Sequence, residues 1–214
     1  MIPIILRLRK GNHKEVAKSQ DIIVQTLFEI FDNAVLHGGT AIWRCYQGNR
    51  FSEDVDAYMP KDVTKLDLFF SELEKKGFQI KKKKISENSI YSSLIFNRTP
   101  VRFEATFKKI SGTLKEYETA EGNFLTIYTL TPEEFVKEKV SAYLNRLKIR
   151  DLYDTFFLLR HISDISSIIK NLEELTNKYK NPIDEKELKI IILEGLVPKT
   201  EKMLDYIKSR VKNG

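Results

Sequence analysis

The sequence predicts an α+β fold, in which a mixed sheet with helices is followed by an all-helical C-terminal half. Up to about residue 130, segments with helical spacing of apolar side chains alternate with strand-like segments, whereas helical spacing continues from Thr131 to the end. Of the 214 residues, 42% are hydrophobic and 31% are charged, which excludes collagen-like, disordered and disulfide-scaffold classes. We therefore expect two parts, residues 1–130 and 131–214.

The first part opens with a predicted helix, a short strand and a glycine turn. Apolar residues at helical spacing predict a helix over Glu15–Ala34, and the apolar strand that follows ends at Gly38–Gly39. Residues 51–59, FSEDVDAYM, alternate between polar and apolar side chains and predict a strand. A second helix is expected over Asp62–Lys76, and Gly77 is a natural C-terminal stop.

Four more strand-like runs follow, with Asn, Gly and Pro in their connections: FQIKKKKI, SIYSSLIFN, VRFEATF and FLTIYTL. In the third, Arg102, Glu104 and Thr106 point to one face and the apolar residues to the other. The first contains the lysine run Lys81–Lys84, which has two interpretations. It either protects a solvated edge strand or contacts an RNA backbone.

The second part begins with a strong helix start at Thr131-Pro132-Glu133-Glu134. Thr131 is a predicted N-cap, Pro132 suits the first helical position, and Glu134 completes a capping box. This helix is expected to end near Arg146. Further helices are predicted over RDLYDTFFLLRHI, SDISSIIKNLEELTNKY, DEKELKIIILEGL and PKTEKMLDYIKSRV.

The net charge indicates the kind of partner, and the cysteine content indicates the cellular compartment. Thirty-six basic and 30 acidic residues give a net charge of +6, which suits a polyanion such as RNA or nucleotide phosphates. One cysteine, Cys45, fits a reducing interior, so we expect a cytoplasmic protein. The scattered Cys and His residues exclude a Cys/His zinc cluster. No apolar run approaches a membrane span, and the N-terminus lacks signal-peptide features.

The sharpest chemical pattern joins the glycine turn to carboxylates on strands. Gly38–Gly39 opens a helix whose first N–H groups can hold phosphate. Asp54 and Asp56 share one strand face, and Glu104 on a later strand supplies a third carboxylate, a donor set suited to Mg²⁺ or Mn²⁺. Plainer interpretations remain: an ordinary turn, a solvated strand edge, and a Glu104 that pairs with Arg102 or a lysine.

The segment GGTAIWR…RFSEDVD resembles the signature of the nucleotidyltransferase superfamily that includes DNA polymerase β. More narrowly, it is similar to the AbiEii-type nucleotidyltransferase toxins, so a nucleotidyltransferase-like sheet is implied. The positions of the first motif are filled by Gly38, Gly39, Arg50, Ser52, Asp54 and Asp56. The chain departs from the commoner pattern at Gly39, where a serine is usual.

The segment EKVSAYLNRLKIRDLYDTFFL is similar to the later motifs of the same family. Lys139 takes the lysine position, Asp151 and Asp154 form the aspartate pair, and the basic residues are Arg146, Lys148 and Arg150. Without the resemblance, the plainer interpretation of Lys139 is favoured, an exposed helix lysine. The plainer interpretation of Arg150 and Asp154, four residues apart, is a surface ion pair.

The resemblance implies a metal-dependent enzyme that moves a nucleoside monophosphate from an NTP to a hydroxyl of RNA, such as a tRNA 3′ end. It also implies a toxin of a toxin–antitoxin or abortive-infection system, with a cognate antitoxin. The implied nucleotide-binding residues are Gly38, Gly39, Thr40, Arg50, Ser52, Arg146 and Arg150, and the implied catalytic residues are Asp54, Asp56, Glu104, Lys139 and Asp154. Two alternatives stay open: transfer to protein, and non-catalytic nucleotide or RNA binding.

Overall fold

The computed structural model describes residues 2–213 of the chain. Its helices are α1 (Ile4–Arg7), α2 (Gly11–Ile30), α3 (Gly38–Cys45), α4 (Val63–Lys75), α5 (Pro132–Arg146), α6 (Ile149–Leu158), α7 (Ile169–Asn177), α8 (Leu188–Ile191) and α9 (Thr200–Asn213). Its strands are β1 (Val35–His37), β2 (Asp54–Met59), β3 (Gln79–Ile85), β4 (Ser89–Phe96), β5 (Thr99–Phe107), β6 (Thr113–Glu118) and β7 (Phe124–Thr129). Within these residues, no helix is both long and apolar enough to cross a bilayer.

The chain divides into two compact units, and the division is not a single cut. The first unit comprises the chain up to Gln47 together with Phe51–Thr129, and the second comprises Gly48–Arg50 together with the chain from Leu130 onward. Within the second unit, Arg50 forms an isolated antiparallel bridge with Ile192. Three residues from the first half of the sequence thus belong structurally with the C-terminal helices, which the sequence pattern does not predict.

The first unit contains a seven-stranded sheet with the order β3-β4-β5-β2-β1-β7-β6. Strand β2 runs antiparallel to β1 and parallel to β5, and β1 runs parallel to β7, so the predicted mixed sheet is confirmed. Strand β6 was not predicted, because this edge strand shows little alternation and leaves Lys115 and Glu116 in solvent.

One face of the sheet is buried and the other carries polar side chains. On β2 the buried residues are Val55, Ala57 and Met59, each with zero or near-zero exposure. Helices α2, α3 and α4 contact the sheet, and the ring of Phe69 on α4 lies 4.8 Å from that of Phe103 on β5. The predicted apolar stripe of α4 is buried as expected: Leu66, Phe69, Phe70 and Leu73.

The start of the second unit follows the sequence closely. The Thr131 hydroxyl accepts a hydrogen bond from the Glu134 N–H at 3.3 Å, and the Glu134 carboxylate accepts one from the Thr131 N–H at 2.8 Å. This reciprocal pair is the predicted capping box, and α5 ends at Arg146 as predicted.

Three of the predicted helices differ from those in the structure. Helix α2 begins at Gly11 and ends at Ile30, four residues before the predicted positions, because the chain turns before entering β1. Helix α7 begins only at Ile169, since the Asp164 carboxylate accepts hydrogen bonds from the Ser166 N–H and hydroxyl and holds a turn there. The predicted helix over residues 184–196 reduces to a 3₁₀ turn and the short α8. The second unit is therefore less helical than the sequence predicts.

Candidate functional site

The glycine turn and β2 lie in direct contact. Strand β1 ends at His37, and α3 begins at Gly38, whose φ of +74° is left-handed. A Cβ at Gly38 would lie 2.2 Å from Oδ2 of Asp56, a distance that no real side chain could accept. The turn therefore requires glycine at this position, and it brings the N-terminus of α3 against a carboxylate. The first N–H groups of a helix attract anions such as phosphate.

The three predicted carboxylates lie on adjacent strands. Asp54 and Asp56 are alternate residues of β2, and Asp56 lies directly beside Glu104 of β5 in the parallel register. All three point to the polar face of the sheet. Partial burial raises the pKa of Glu104 above its usual value, and the negative charge of Asp56 raises it further. The sheet thus concentrates negative charge that a cation would offset.

Arg102 holds Asp54 in place. Its Nε donates to Oδ1 of Asp54 at 2.7 Å and its Nη2 donates to Oδ2 at 2.5 Å, a two-pronged ion pair. The strand register explains the pairing, because Arg102 lies beside Asp54, whereas Glu104 lies beside Asp56. The interpretation that Arg102 pairs with Glu104 is therefore wrong.

These carboxylates have the right donor chemistry for a divalent cation, but their oxygens are not arranged to coordinate one. Hard cations take oxygen ligands, and three neighbouring carboxylates supply them. Within residues 2–213, however, no group of three or more His, Cys, Asp or Glu side chains is arranged to hold a metal ion directly. Both oxygens of Asp54 face Arg102 instead. The metal role of Asp54, Asp56 and Glu104 stays a prediction.

Thr40 and Gln20 fix the start of β2 from the helix side. The fully buried Thr40 hydroxyl donates to the backbone oxygen of Asp54 at 2.5 Å and accepts from Nε2 of Gln20 at 3.2 Å. The same Gln20 nitrogen donates to the backbone oxygen of Ser52 at 2.8 Å. Sequence reasoning missed Gln20. Its signal was a polar residue on the apolar face of α2, four positions after Val16 and three before Ile23.

The motif residues of the second unit form a buried ionic network. Arg50 donates to Asp154 from Nε at 2.5 Å and from Nη2 at 2.6 Å. Nζ of Lys139 lies 2.8 Å from Oδ2 of Asp154 and 3.7 Å from Oδ1 of Asp151. Arg146 makes a two-pronged pair with Asp151 at 2.7 and 2.8 Å. Three cations thus share two fully buried carboxylates.

The network excludes both plain interpretations of these residues. Lys139 is only 7% exposed, so it is not a solvated helix lysine. Asp154 pairs with Arg50 and Lys139 rather than with Arg150, which is exposed and has no ion pair or hydrogen-bond partner through its side chain within residues 2–213. Burial acts to raise the pKa of Asp154, but Arg50 and Lys139 outweigh it and the pKa is lowered.

The predicted site residues therefore fall into two groups, one in each unit. The first unit contains Gly38, Gly39, Thr40, Ser52, Asp54, Asp56 and Glu104. The second unit contains Arg50, Lys139, Arg146, Arg150 and Asp154, of which all but Arg150 take part in the ionic network. Arg102 and Gln20 join the first group as residues that hold Asp54 and β2.

The family model described as nucleotidyl transferase AbiEii toxin, type IV TA system, matches residues 22–208. The crystal structure of JHP933 from Helicobacter pylori has a TM-score of 0.66 and 18% sequence identity, with 95% of this chain and 92% of that chain covered. A second H. pylori structure, provisionally described as a nucleotidyltransferase, has a TM-score of 0.63 and 18% identity, with 95% of each chain covered. At these identities both show similarity of fold. No curated protein matches the sequence.

Proposed function

Because the chain belongs to the AbiEii family of nucleotidyltransferase toxins of type IV toxin–antitoxin systems, we propose that it transfers a nucleoside monophosphate from an NTP to an RNA hydroxyl. We propose the 3′ end of a tRNA as the acceptor and the cytoplasm as the place of reaction. The observation that carries the proposal is the position of Asp56, beside Glu104 on one side and against the Gly38 turn on the other.

The glycine turn is proposed to hold the triphosphate. The backbone N–H groups at the start of α3, from Gly38, Gly39 and Thr40, offer donors and the positive end of a helix dipole. Only backbone groups of Thr40 are available for this, since its hydroxyl is committed to Asp54. Ser52 is proposed to contact the nucleotide from the residues that lead into β2.

The carboxylates are proposed to carry the chemistry. A divalent cation, Mg²⁺ or Mn²⁺, held by Asp54, Asp56 and Glu104 would neutralise charge on the transferring phosphate. The acceptor hydroxyl oxygen bonds to the α-phosphorus, the bond to the β-phosphate oxygen breaks, and pyrophosphate leaves. Glu104, which lies beside Asp56, would help to activate the attacking hydroxyl, either through the cation or as the base that takes its proton.

In the second unit, the cations are proposed to neutralise phosphate charge. Arg150 is exposed and carries no internal partner within residues 2–213, so its guanidinium can meet an anion. Lys139, Arg50 and Arg146 are paired with Asp151 and Asp154, so we propose for them a supporting part in nucleotide binding. Arg50 donates two hydrogen bonds to Asp154, so we propose that this carboxylate orients Arg50.

The net charge of the protein supports the RNA acceptor, and its family membership supports the toxin role. A net charge of +6 suits a polyanionic acceptor. Family membership implies an antitoxin partner, and we propose abortive infection as the setting in which the toxin acts.

Radiolabel transfer tests the proposal directly. The purified protein is incubated with Mg²⁺ or Mn²⁺, each labelled NTP in turn, and total tRNA. We expect label on RNA with the wild type and none with Asp56→Asn, which preserves size and removes one charge. Asp205→Asn, an exposed substitution of the same kind on α9, should behave as the wild type does.

Three results would contradict parts of the proposal. Label on protein alone would replace the RNA acceptor by a protein. Equal transfer by Asp56→Asn would remove the carboxylates from the mechanism. No transfer to either acceptor, with RNA still bound, would favour the non-catalytic alternative.

A further inference from the structure

The lysine run of β3 divides its side chains between the two faces of the sheet. Nζ of Lys83 lies 2.8 Å from Oδ1 of Asp67 on α4, so Lys83 points to the helix-covered face. Nζ of Lys82 lies 5.3 Å from the ring centre of Tyr91 on β4, on the opposite face. Lys84 is two residues from Lys82 and is paired with Tyr91 in the register, so it shares the face of Lys82.

Cross-strand pairing connects Lys84 to the carboxylates in one row. Lys84 lies beside Tyr91, Tyr91 beside Glu104, and Glu104 beside Asp56. Directly paired residues on neighbouring strands point to the same face. At about 4.8 Å between strands, the row spans about 14 Å from the edge of the sheet to β2.

A second row lies on the same face, two residues further along each strand. It runs from Lys82 to Ser93, then to Arg102 and to Asp54. Arg102 keeps 46% of its side chain exposed even though it binds Asp54. The two rows together form a polar strip with cations at the sheet edge and carboxylates at its inner end. We call this strip the lysine face and define it by Lys82, Lys84, Tyr91 and Arg102.

The lysines of this face are available to a ligand. Lys82 and Lys84 are exposed, and neither forms an ion pair with an acidic side chain within residues 2–213. A depression of about 370 Å³ lies between them and Tyr91, bordered also by Ser86 and Ser89. Its volume falls in the range of small-ligand sites.

Edge protection alone does not account for this arrangement. Lysines on an edge strand discourage aggregation whichever face they point to. That role gives no reason for an aromatic ring beside Lys82 and Lys84, or for a polar row that continues inward to Glu104. Cations that follow a track beside an aromatic ring are the features that hold a single nucleic-acid strand, through phosphates and base stacking.

We infer that the lysine face binds the single-stranded end of the RNA acceptor and directs its terminal hydroxyl to Glu104 and Asp56. Lys82 and Lys84 contact backbone phosphates, and the Tyr91 ring stacks on a base. The inference rests on the proposed function, because it assigns the path of the acceptor to that same site.

Binding of RNA in the absence of NTP and metal tests the surface separately from catalysis. Fluorescence anisotropy is measured with a short single-stranded oligoribonucleotide over a series of salt concentrations. Lys82→Ala/Lys84→Ala should weaken binding about tenfold and lower the slope of log affinity against log salt by about 1.4, since each phosphate contact on a single strand contributes about 0.7. The control variant Lys75→Ala/Lys83→Ala also removes two positive charges, but on the helix-covered side of the sheet, and should bind as the wild type does. Equal affinities for the two double variants would overturn the inference.

The aromatic contribution has its own pair of variants. Tyr91→Ala should weaken binding of the oligoribonucleotide at least about fivefold at every salt concentration, because it removes stacking and leaves the charge unchanged. Tyr91→Phe retains the ring and should restore most of the affinity. Wild-type affinity in Tyr91→Ala would remove stacking from the proposal.

Transfer kinetics separate this inference from the proposed function. In the lysine double variant, KM for RNA should rise while KM for the NTP and kcat at saturating RNA stay near the wild-type values. A wild-type protein that transfers nothing contradicts the proposed function, whatever the binding data show. Normal transfer with an unchanged KM for RNA in the lysine variant overturns the lysine face alone.

Discussion

Arg50 and Asp154 form a buried, two-pronged ion pair between residues 104 positions apart in the chain. The two contacts measure 2.5 and 2.6 Å, and both side chains are at most 5% exposed. Nζ of Lys139 also lies 2.8 Å from Asp154. One carboxylate therefore lies against two buried cations.

Asp154→Asn should destabilise the protein by about 3–5 kcal/mol, because it removes the carboxylate that forms the bidentate pair with buried Arg50 and the nearer of the two carboxylates beside Lys139. Urea unfolding gives the change. Arg150→Gln, an exposed substitution on the same helix, should alter the free energy of unfolding by no more than about 0.5 kcal/mol. A similar loss in both variants would show that the network does not set the stability of this unit.

The lowered pKa of Asp154 predicts that the protein loses stability in acid. The pKa of Asp154 is lowered in the folded protein from a usual value of 3.8, so its ionisation favours folding. That contribution is complete above the unfolded pKa and is lost as pH falls below it toward the folded pKa. The difference in unfolding free energy between the wild type and Asp154→Asn should stay constant from about pH 8 to pH 5 and shrink below about pH 4. A difference that shrinks already near neutral pH would contradict this.

The strand pattern of the first unit is the part that sequence reasoning predicts best. Alternation around Val55 predicts that Asp54 and Asp56 share a face, and alternation in VRFEATF places Glu104 on the polar side of its strand. Each conclusion uses only neighbours in sequence, because the side-chain period of a strand is two residues. The capping box at Thr131 is local in the same way.

The pairing of residues that are distant in sequence cannot be predicted from the sequence pattern. The register that sets Arg102 beside Asp54 depends on which strands adjoin and by what offset, and neither can be read from alternation. Likewise, the assignment of Arg50 to the second unit results from Asp154 and Ile192, both more than 100 residues later. The helix boundary near Asp164 was missed because a side-chain hydrogen bond competes with the helix there.

Arg102 is expected to compete with a divalent cation for Asp54. Arg102→Gln should free both oxygens of Asp54 and remove a nearby positive charge, so affinity for Mn²⁺ should rise a few-fold. The electron paramagnetic resonance signal of free Mn²⁺ measures this without any turnover. Arg98→Gln, in the exposed turn before the same strand, is the control and should bind Mn²⁺ as the wild type does. Weaker binding in Arg102→Gln would show instead that Arg102 supports the metal site.

Glu104→Gln should stabilise the fold while removing transfer activity. The pKa of Glu104 is raised by burial and by Asp56, so its ionisation costs stability above that pKa and nothing below the unfolded value of 4.5. The variant should therefore unfold about 1–2 °C above the wild type near pH 8, a small gain because Glu104 is only partly buried. Near pH 4 the two melting temperatures should coincide. Metal-free protein is used, and a lower melting temperature at pH 8 would show that the Glu104 charge is stabilising.

Two features constrain Gly38: its left-handed φ and the close approach of Asp56. Alanine substitutions at Gly38 and Gly195 distinguish the two. Gly38 and Gly195 both have left-handed φ values, +74° and +79°, but a Cβ at Gly195 would meet no atom within 4 Å. Gly195→Ala should therefore cost only the backbone strain of about 1–2 kcal/mol. Gly38→Ala adds a clash with Oδ2 of Asp56 and should cost about 2–5 kcal/mol by urea unfolding, together with the transfer activity.

A second change in the same background identifies the clash as the cause. Asp56→Ala removes Oδ2, which the new methyl group would strike, and leaves only the Cβ of residue 56, at 3.0 Å. Gly38→Ala/Asp56→Ala should therefore regain most, though not all, of the stability that the clash removes from Gly38→Ala. It should regain no transfer, because Asp56 is one of the proposed metal ligands. If the double variant is as unstable as Gly38→Ala, the turn is constrained by its own conformation and not by the carboxylate that it touches.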